Sequence, residues 1–293
     1  MKVACGYTIP ITLHGLPPSP ENHLKGMRSV GEAGFRAIEL EFYDEMLTYH
    51  RRDIEKMQQV LRDYSIDCIS IMAVEEKMFS LNPDLKKAAI ADFDAITDLI
   101  VELKSPLVTI CGYMPPEIRP SGTELYVGGP PTAVAVGDDF SWQEFWRNAV
   151  DLVNKCGTIA KKKGLALAVE TRANDVFSST DAVLNLIKEA GGDNLGIILD
   201  VAHVHAGKEY LALVIPKVAP FIKLVHLSDN DGTNAYHYSP GKGNIDFRAV
   251  IRNLSRLGYD GYVVVDTWGG ANLVENAVQA RDYYQSLIDE VSK

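Results

Sequence analysis

The chain is poor in the features that mark specialised classes of protein. Among its 293 residues there are four cysteines, Cys5, Cys68, Cys111 and Cys156, spaced far apart and without a C-x-x-C pair. That excludes a disulfide-rich scaffold and supplies no zinc or dithiol motif. The four read as small core residues of a protein in a reducing compartment. No apolar run reaches the roughly 18 residues a membrane helix needs. Met1–Gly6 lacks the apolar core and small-residue cleavage site of a secretory signal, so a cytoplasmic location is expected, with no membrane partner. Basic charge is also scarce, with 29 Lys and Arg against 39 Asp and Glu and a formal net charge of −10. A nucleic-acid partner needs a basic surface and is not expected, whereas a small neutral or polyhydroxylated ligand is easily accommodated. No Gly-x-Gly-x-x-Gly follows the first apolar run, which argues against a Rossmann dinucleotide site.

What the chain does have is alternation. Eight short apolar runs of strand type occur at Val3–Thr8, Ala37–Phe42, Asp67–Ala73, Leu107–Cys111, Leu165–Val169, Gly196–Leu199, Ile222–Val225 and Tyr262–Val265. Helix-sized segments follow each of them, from about Glu21 to Ala33 in the first unit to about Asn272 to Val291 in the last. Helix punctuation is present as well: Gly34 and Gly164 stand where C-cap glycines belong, and Ser179-Thr180-Asp181 opens a helix. The strand runs are apolar throughout instead of alternating, as in a parallel sheet covered on both faces. The fold predicted is α/β: one (β/α)8 TIM barrel domain spanning residues 1–293. Two segments read as loops, the proline-rich stretch Ile11–Pro20 and the long irregular stretch Gly112–Asp139 between strand 4 and its helix. Loops of the latter length are commonly functional, and a lid over the catalytic rim is the first reading, with a surface excursion or dimer arm beside it.

The chemistry concentrates at four successive strand ends. Strands 5 to 8 run into Glu170, Asp200, His226 and Asp266. In a closed barrel, side chains at the C-terminal ends of adjacent strands converge on the axis. Three carboxylates and an imidazole meeting there repel one another unless a cation neutralises them. Oxygen and nitrogen ligation without thiolate suits a divalent ion, Mn²⁺ foremost, with Mg²⁺, Co²⁺ or Zn²⁺ as the others. Each residue taken alone has a plainer reading. An acid at a strand end can cap the next helix, and His226 can be a core histidine with its hydrogen bonds satisfied. The four together point to a metal site.

In order along the chain come Leu-Ala-Val-Glu170-Thr-Arg172, Asp200-x-x-His203, His226-Leu-Ser-Asp229, Pro240-Gly-Lys-Gly-Asn-Ile-Asp-Phe247 and Gly258-Tyr-Asp-Gly-Tyr262 up to Asp266. This series resembles the sugar isomerase/epimerase family of xylose-isomerase-like TIM barrels, which includes ketose 3-epimerases and inosose-processing enzymes. The resemblance runs from Gly34 onward and is densest from 165 to 268. The chain departs from the family pattern in two places. Asp266 stands where the last strand usually ends in Glu. The segment Asp229-Asn230-Asp231-Gly232 stands where ketose 3-epimerases commonly carry an arginine.

The resemblance implies a metal-dependent enzyme that grips adjacent carbonyl and hydroxyl oxygens of a keto-sugar or polyol ketone and reacts through an enediolate. Glu170 removes a proton while ligating the metal, and Asp266 returns one from the opposite side. Epimerisation, aldose–ketose isomerisation and dehydration of an inosose-type substrate share that intermediate. His203 is assigned to a substrate oxygen, or to a hydrogen bond with Asp200. Arg172 holds a substrate hydroxyl or carboxylate, or orients Glu170. Trp268 forms an apolar wall against a sugar ring, and His237 joins from the loop after strand 7. Of Glu39 and Glu41 at the end of strand 2, one is expected to bind a substrate hydroxyl and the other to face the helix layer. The family's assembly habit implies a homodimer or homotetramer.

A DNA-repair branch of endonuclease-IV-like enzymes resembles the chain at Asp200-x-x-His203, His226 and His237. That branch takes three zincs and needs histidines on strands 3 and 4, which are absent here, and position 235 is alanine instead of aspartate. A non-catalytic sugar-binding barrel is the remaining alternative.

Overall fold

The structure, a computed structural model, describes residues 1–15, 17–119, 134–268 and 272–292. Eight parallel strands close into a barrel in chain order. In sequence, β1 (Lys2–Cys5) leads to helices α1 (Thr8–His14) and α2 (Pro20–Glu32). Then come β2 (Ala37–Tyr43), α3 (Leu47–Tyr64), β3 (Asp67–Val74), α4 (Pro83–Glu102), β4 (Leu107–Cys111) and α5 (Trp142–Lys162). The second half runs β5 (Ala166–Glu170), α6 (Thr180–Ala190), β6 (Leu195–Asp200), α7 (Val201–Ala206), α8 (Leu211–Val218), β7 (Ile222–Leu227), α9 (Phe247–Arg256), β8 (Tyr262–Val265) and α10 (Leu273–Val291). Among the described residues no helix is long and apolar enough to cross a membrane.

Two apolar bodies hold the barrel. The larger lies between the sheet and the helices, where residues such as Phe35, Phe93, Leu99, Val153 and Ile251 are almost wholly buried. The smaller fills the inside of the barrel with one residue from each strand: Ala4, Ala37, Ile69, Leu107, Ala168, Ile198, Leu224 and Val264. Small and large members alternate unevenly around this ring, as a tapering interior requires. The ring also sets direction. Side chains two residues apart on a strand share a face. Two steps toward the C-terminal end from Ala37, Ala168, Ile198, Leu224 and Val264 therefore lie Glu39, Glu170, Asp200, His226 and Asp266.

Two segments differ from the sequence reading. The stretch expected as loop from Ile11 begins inside α1, because Pro10 sits in the first helical turn, where its missing N–H is no loss. Gly26 lets α2 approach this helix; a Cβ there would lie 2.5 Å from Pro10. The helix expected between strands 6 and 7, over about Lys208–Ala219, is α8, and an unexpected short helix, α7, precedes it. Of the long stretch read as a lid, residues 120–133 lie outside the described residues.

Behind β2 sits a buried pair of histidines. His23 contacts the Tyr7 hydroxyl through Nδ1, and His50 stacks on Phe42 with ring centroids 4.1 Å apart and accepts the Tyr43 N–H at 3.4 Å. Burial pushes His23 down to about 4 and His50 lower still, so both are neutral. An unfolded histidine takes its proton near 6.5, so between that pH and 4 the unfolded state binds more protons than the folded one. The stability conferred by neutral His23 is complete above 6.5 and is lost as pH falls toward 4. Urea unfolding should show His23 alone removing about 2 kcal/mol between about pH 7 and about pH 5. A His23→Gln variant should lose that part of the pH dependence; an unchanged slope would contradict the assignment.

Candidate active site

Strand parity, with α7 and the loop after β7, brings the candidate residues to one cavity of about 330 Å³ at the C-terminal end of the strands. Glu39, Glu170, Arg172, His203, His226, His237, Asp266 and Trp268 all line it. Asp200, wholly buried, lies just beneath, paired in register with His226 on the neighbouring strand. Glu41 lines the cavity beside Glu39, against the expectation that one of the two would face the helix layer. Two residues apart on one strand, they must share a face.

His226 is the centre of the arrangement. Its Nε2 lies 2.8 Å from Glu39 Oε2. Its Nδ1 lies 3.1 Å from Glu170 Oε1, 3.7 Å from Asp200 Oδ2 and 3.8 Å from Asp266 Oδ2. Asp200 does cap a helix, as the plain reading allowed: Oδ1 accepts the N–H groups of Ala202 (2.8 Å) and His203 (3.0 Å). That uses one oxygen only and leaves Oδ2 for the site. Glu170 divides its oxygens likewise. While Oε1 faces His226, Oε2 accepts the Cys111 thiol at 3.1 Å, with Arg172 Nε at 4.0 Å. Asp266 Oδ2 lies 2.8 Å from His237 Nδ1. His203 accepts the Ala173 N–H on Nδ1 at 3.2 Å, so its other nitrogen is the one it can offer.

Electrostatics follow from these contacts. Burial alone would raise Glu170, but the His226 ring outweighs it and holds the carboxyl down at about 2. Asp200 is likewise held below the usual carboxylate range, with burial outweighed by His203, His226 and His237. His226 is held well above an ordinary histidine because Glu39, Asp200 and Glu170 overcome its burial. The Asp266 carboxylate overcomes burial at His237 and lifts it to about 9, while burial pushes His203 down to about 4. Burial pushes Glu41 up to about 8, against the opposing effect of the hydrogen bond from Tyr43.

The residues fit a divalent cation. Among the described residues, Asp200 Oδ2 and both ring nitrogens of His226 are buried without an aligned hydrogen bond. The carboxylate oxygens crowd the ring nitrogens at short distance yet lie off their N–H lines. Buried polar groups are normally hydrogen-bonded, so a set left in this way suits a bound cation. One ligand atom each from Glu170, Asp200 and His226 lies within 4.8 Å of the others, and the same is true of Asp200, His203 and His237.

Several residues that shape the cavity were not anticipated. Met72 forms part of its inner wall, and Cys111, whose thiol reaches Glu170, has its Sγ 3.5 Å from Met72 Sδ. Tyr7, Thr8 and Ile11 reach it from the start of α1. Tyr236 and Tyr238 stack on each other at its mouth. Strand parity could have found Cys111, which stands two past the inward Thr109; the loop aromatics carry no periodic signal. Asp229, which follows His226 closely in sequence, serves the scaffold instead. Its carboxylate accepts the N–H groups of Gly241 (2.8 Å), Gly243 (2.9 Å) and Ile245 (3.1 Å), clamping the loop after β7. Gly243 is required for that clamp, since a Cβ would lie 2.2 Å from the Asn230 carbonyl oxygen.

Comparison with known proteins sharpens the picture. The family model described as "Xylose isomerase-like TIM barrel" matches residues 27–287. The chain belongs to that family. Within this xylose isomerase-like group, an inosose dehydratase of Clostridium perfringens is 27% identical over 162 residues, covering 48% of this chain and 54% of that protein. The chain thus spans about half the length of the curated relatives it matches. A D-psicose 3-epimerase from Clostridium cellulolyticum H10, solved with D-tagatose, superimposes with a TM-score of 0.77 over 98% of this chain and 99% of its own, at 16% identity. A xylose isomerase-like TIM barrel protein from Mycobacterium smegmatis, solved in complex with magnesium, gives 0.72 over 99% and 97% at 18% identity. At such identities the superpositions show a shared fold.

Proposed function

We propose that this chain is a metal-dependent isomerase or epimerase of a keto-sugar or related polyol ketone, working through an enediolate by carboxylate proton transfer. One observation carries the reading. Two carboxylates from strands three apart in the ring, Glu170 and Asp266, approach the same buried imidazole nitrogen within 4 Å. Glu170, Asp200, His226 and Asp266 would hold the ion, Mn²⁺ foremost; the magnesium in the Mycobacterium smegmatis relative supports a divalent cation here. When bound, it supplies Lewis acidity toward a carbonyl and its neighbouring hydroxyl.

The proton work belongs to the chain. Glu170, turned by the Cys111 thiol, takes the proton from the carbon beside the carbonyl. Asp266, steadied by His237, returns one from across the cavity. Arg172 and His203 hold substrate oxygens, and Trp268 gives a flat apolar wall to the sugar ring. The ligand is a small molecule, in keeping with the cavity volume.

Dehydration of an inosose-type polyol ketone is the second reading. The likeness to an inosose dehydratase favours it, as does His237, whose N–H chemistry beside Asp266 suits protonation of a departing hydroxyl. NMR in D₂O on a panel of keto-sugars and inososes, with and without Mn²⁺, tests both. Metal-dependent deuterium uptake beside the carbonyl is expected. An inverted carbon then marks an epimerase, a shifted carbonyl an isomerase, and loss of water a dehydratase. Absence of exchange across the panel, with metal demonstrably bound, would reject the enediolate mechanism.

A further inference from the structure

Glu39 lies on β2, across the barrel from His226 on β7, and is 3% exposed. Its two oxygens have different partners. Oε1 accepts the Ser70 hydroxyl at 2.8 Å, and Oε2 stands 2.8 Å from His226 Nε2. The pairing with Ser70 is built into the sheet. Between Ile38 and Glu39 the register of β2 against β3 shifts, so that Ile38 faces Cys68 while Glu39 faces Ser70 and not Ile69. Irregularities of this kind beside active sites re-aim a side chain. Here the shift brings a hydroxyl to the back of a buried carboxylate whose front meets an imidazole.

The imidazole is thereby used on both sides. Nε2 stands 2.8 Å from Glu39 Oε2, close but off the N–H line, and Nδ1 stands within 4 Å of oxygens of Glu170, Asp200 and Asp266. A carboxylate behind a ligating histidine fixes which nitrogen faces the ion and keeps the ring oriented.

We propose that Glu39, anchored by Ser70, is a positioning residue that sets His226 for metal ligation instead of holding a substrate hydroxyl. This rests on the metal-centre reading above. Glu41 is left as the β2 carboxyl facing the open cavity, where it can meet substrate.

The test is titration calorimetry of Mn²⁺ into the full-length, metal-stripped protein without substrate, comparing wild type with Glu39→Gln and Ser70→Ala. Glu39→Gln should bind Mn²⁺ about 10–100-fold more weakly, the usual cost of losing such a partner. The electron paramagnetic resonance line shape of the bound ion should change with it. Ser70→Ala, which leaves every ligand in place, should weaken binding in the same direction but less. Should Glu39→Gln fail to fold, Ser70→Ala decides, and wild-type affinity in that variant overturns the proposal. Unchanged Mn²⁺ affinity in a folded Glu39→Gln overturns it too, and a raised KM alongside would return Glu39 to the substrate. If the wild type itself takes up no Mn²⁺, the underlying metal-centre reading fails with it, a result distinct from both.

Discussion

Replacing Glu170 with glutamine is expected to cut turnover about 10²–10⁴-fold, the contribution ordinarily made by a positioned base. The two oxygens of Glu170 divide the labour. Oε1 faces His226 and the ligand set, and Oε2 is turned toward the Cys111 thiol and Arg172. Glutamine keeps the shape and an oxygen that can still approach a cation, but its amide takes no proton. Deuterium exchange at the carbon beside the carbonyl should therefore collapse while metal content, measured by elemental analysis, stays close to wild type. Exchange at the wild-type rate with metal in place would remove Glu170 from the proton-transfer role. Loss of the metal and activity together would make it chiefly a ligand.

At Asp200 two substitutions should give different results, because its two oxygens do different work. Asp200→Asn retains a side-chain oxygen that can accept the N–H groups of Ala202 and His203, so α7 keeps its cap. What it loses is the charge of Oδ2, the buried oxygen without a hydrogen-bond partner. Mn²⁺ affinity should fall by more than the roughly 100-fold seen when only a ligand's supporting partner is removed. Asp200→Ala loses both functions, adding about 0.5–2 kcal/mol of lost capping to the same metal defect. Urea unfolding of the metal-free proteins separates the two: the alanine variant should fall below the asparagine variant by that capping increment. Equal stabilities would mean that Asp200 matters to the ion alone. Near-normal Mn²⁺ binding in Asp200→Asn would remove it from the ligand set.

Much of this architecture is legible in the sequence, for a physical reason. Parallel strands buried on both faces must be apolar throughout, so runs such as Leu195–Leu199 stand out against the amphipathic helices. Where such a run stops at a charged residue, that residue lies at the barrel rim, and Glu170, Asp200, His226 and Asp266 are visible on that ground alone. Legibility fails where an element owes its place to contact and not to pattern. The helix Thr8–His14 hides behind a proline and is held by its close approach to Gly26. Asp229 looks like a ligand by position, but three backbone N–H groups of a loop more than ten residues away occupy it. The partners of Glu39 depend on a shift of register that no one-dimensional pattern records. The facing of Glu39 and Glu41 was within reach of strand periodicity.

The apolar ring inside the barrel has a consequence for traffic. One side chain from every strand closes the floor beneath Glu170, Asp200 and His226, so nothing the size of a sugar or a hydrated ion can pass through the barrel. Among the described residues the chamber opens past Tyr236, Tyr238 and Trp268, each still 37–41% exposed. Were a divalent ion held at the bottom of such a dead end, it would have to arrive before the substrate and leave after the product had cleared the way.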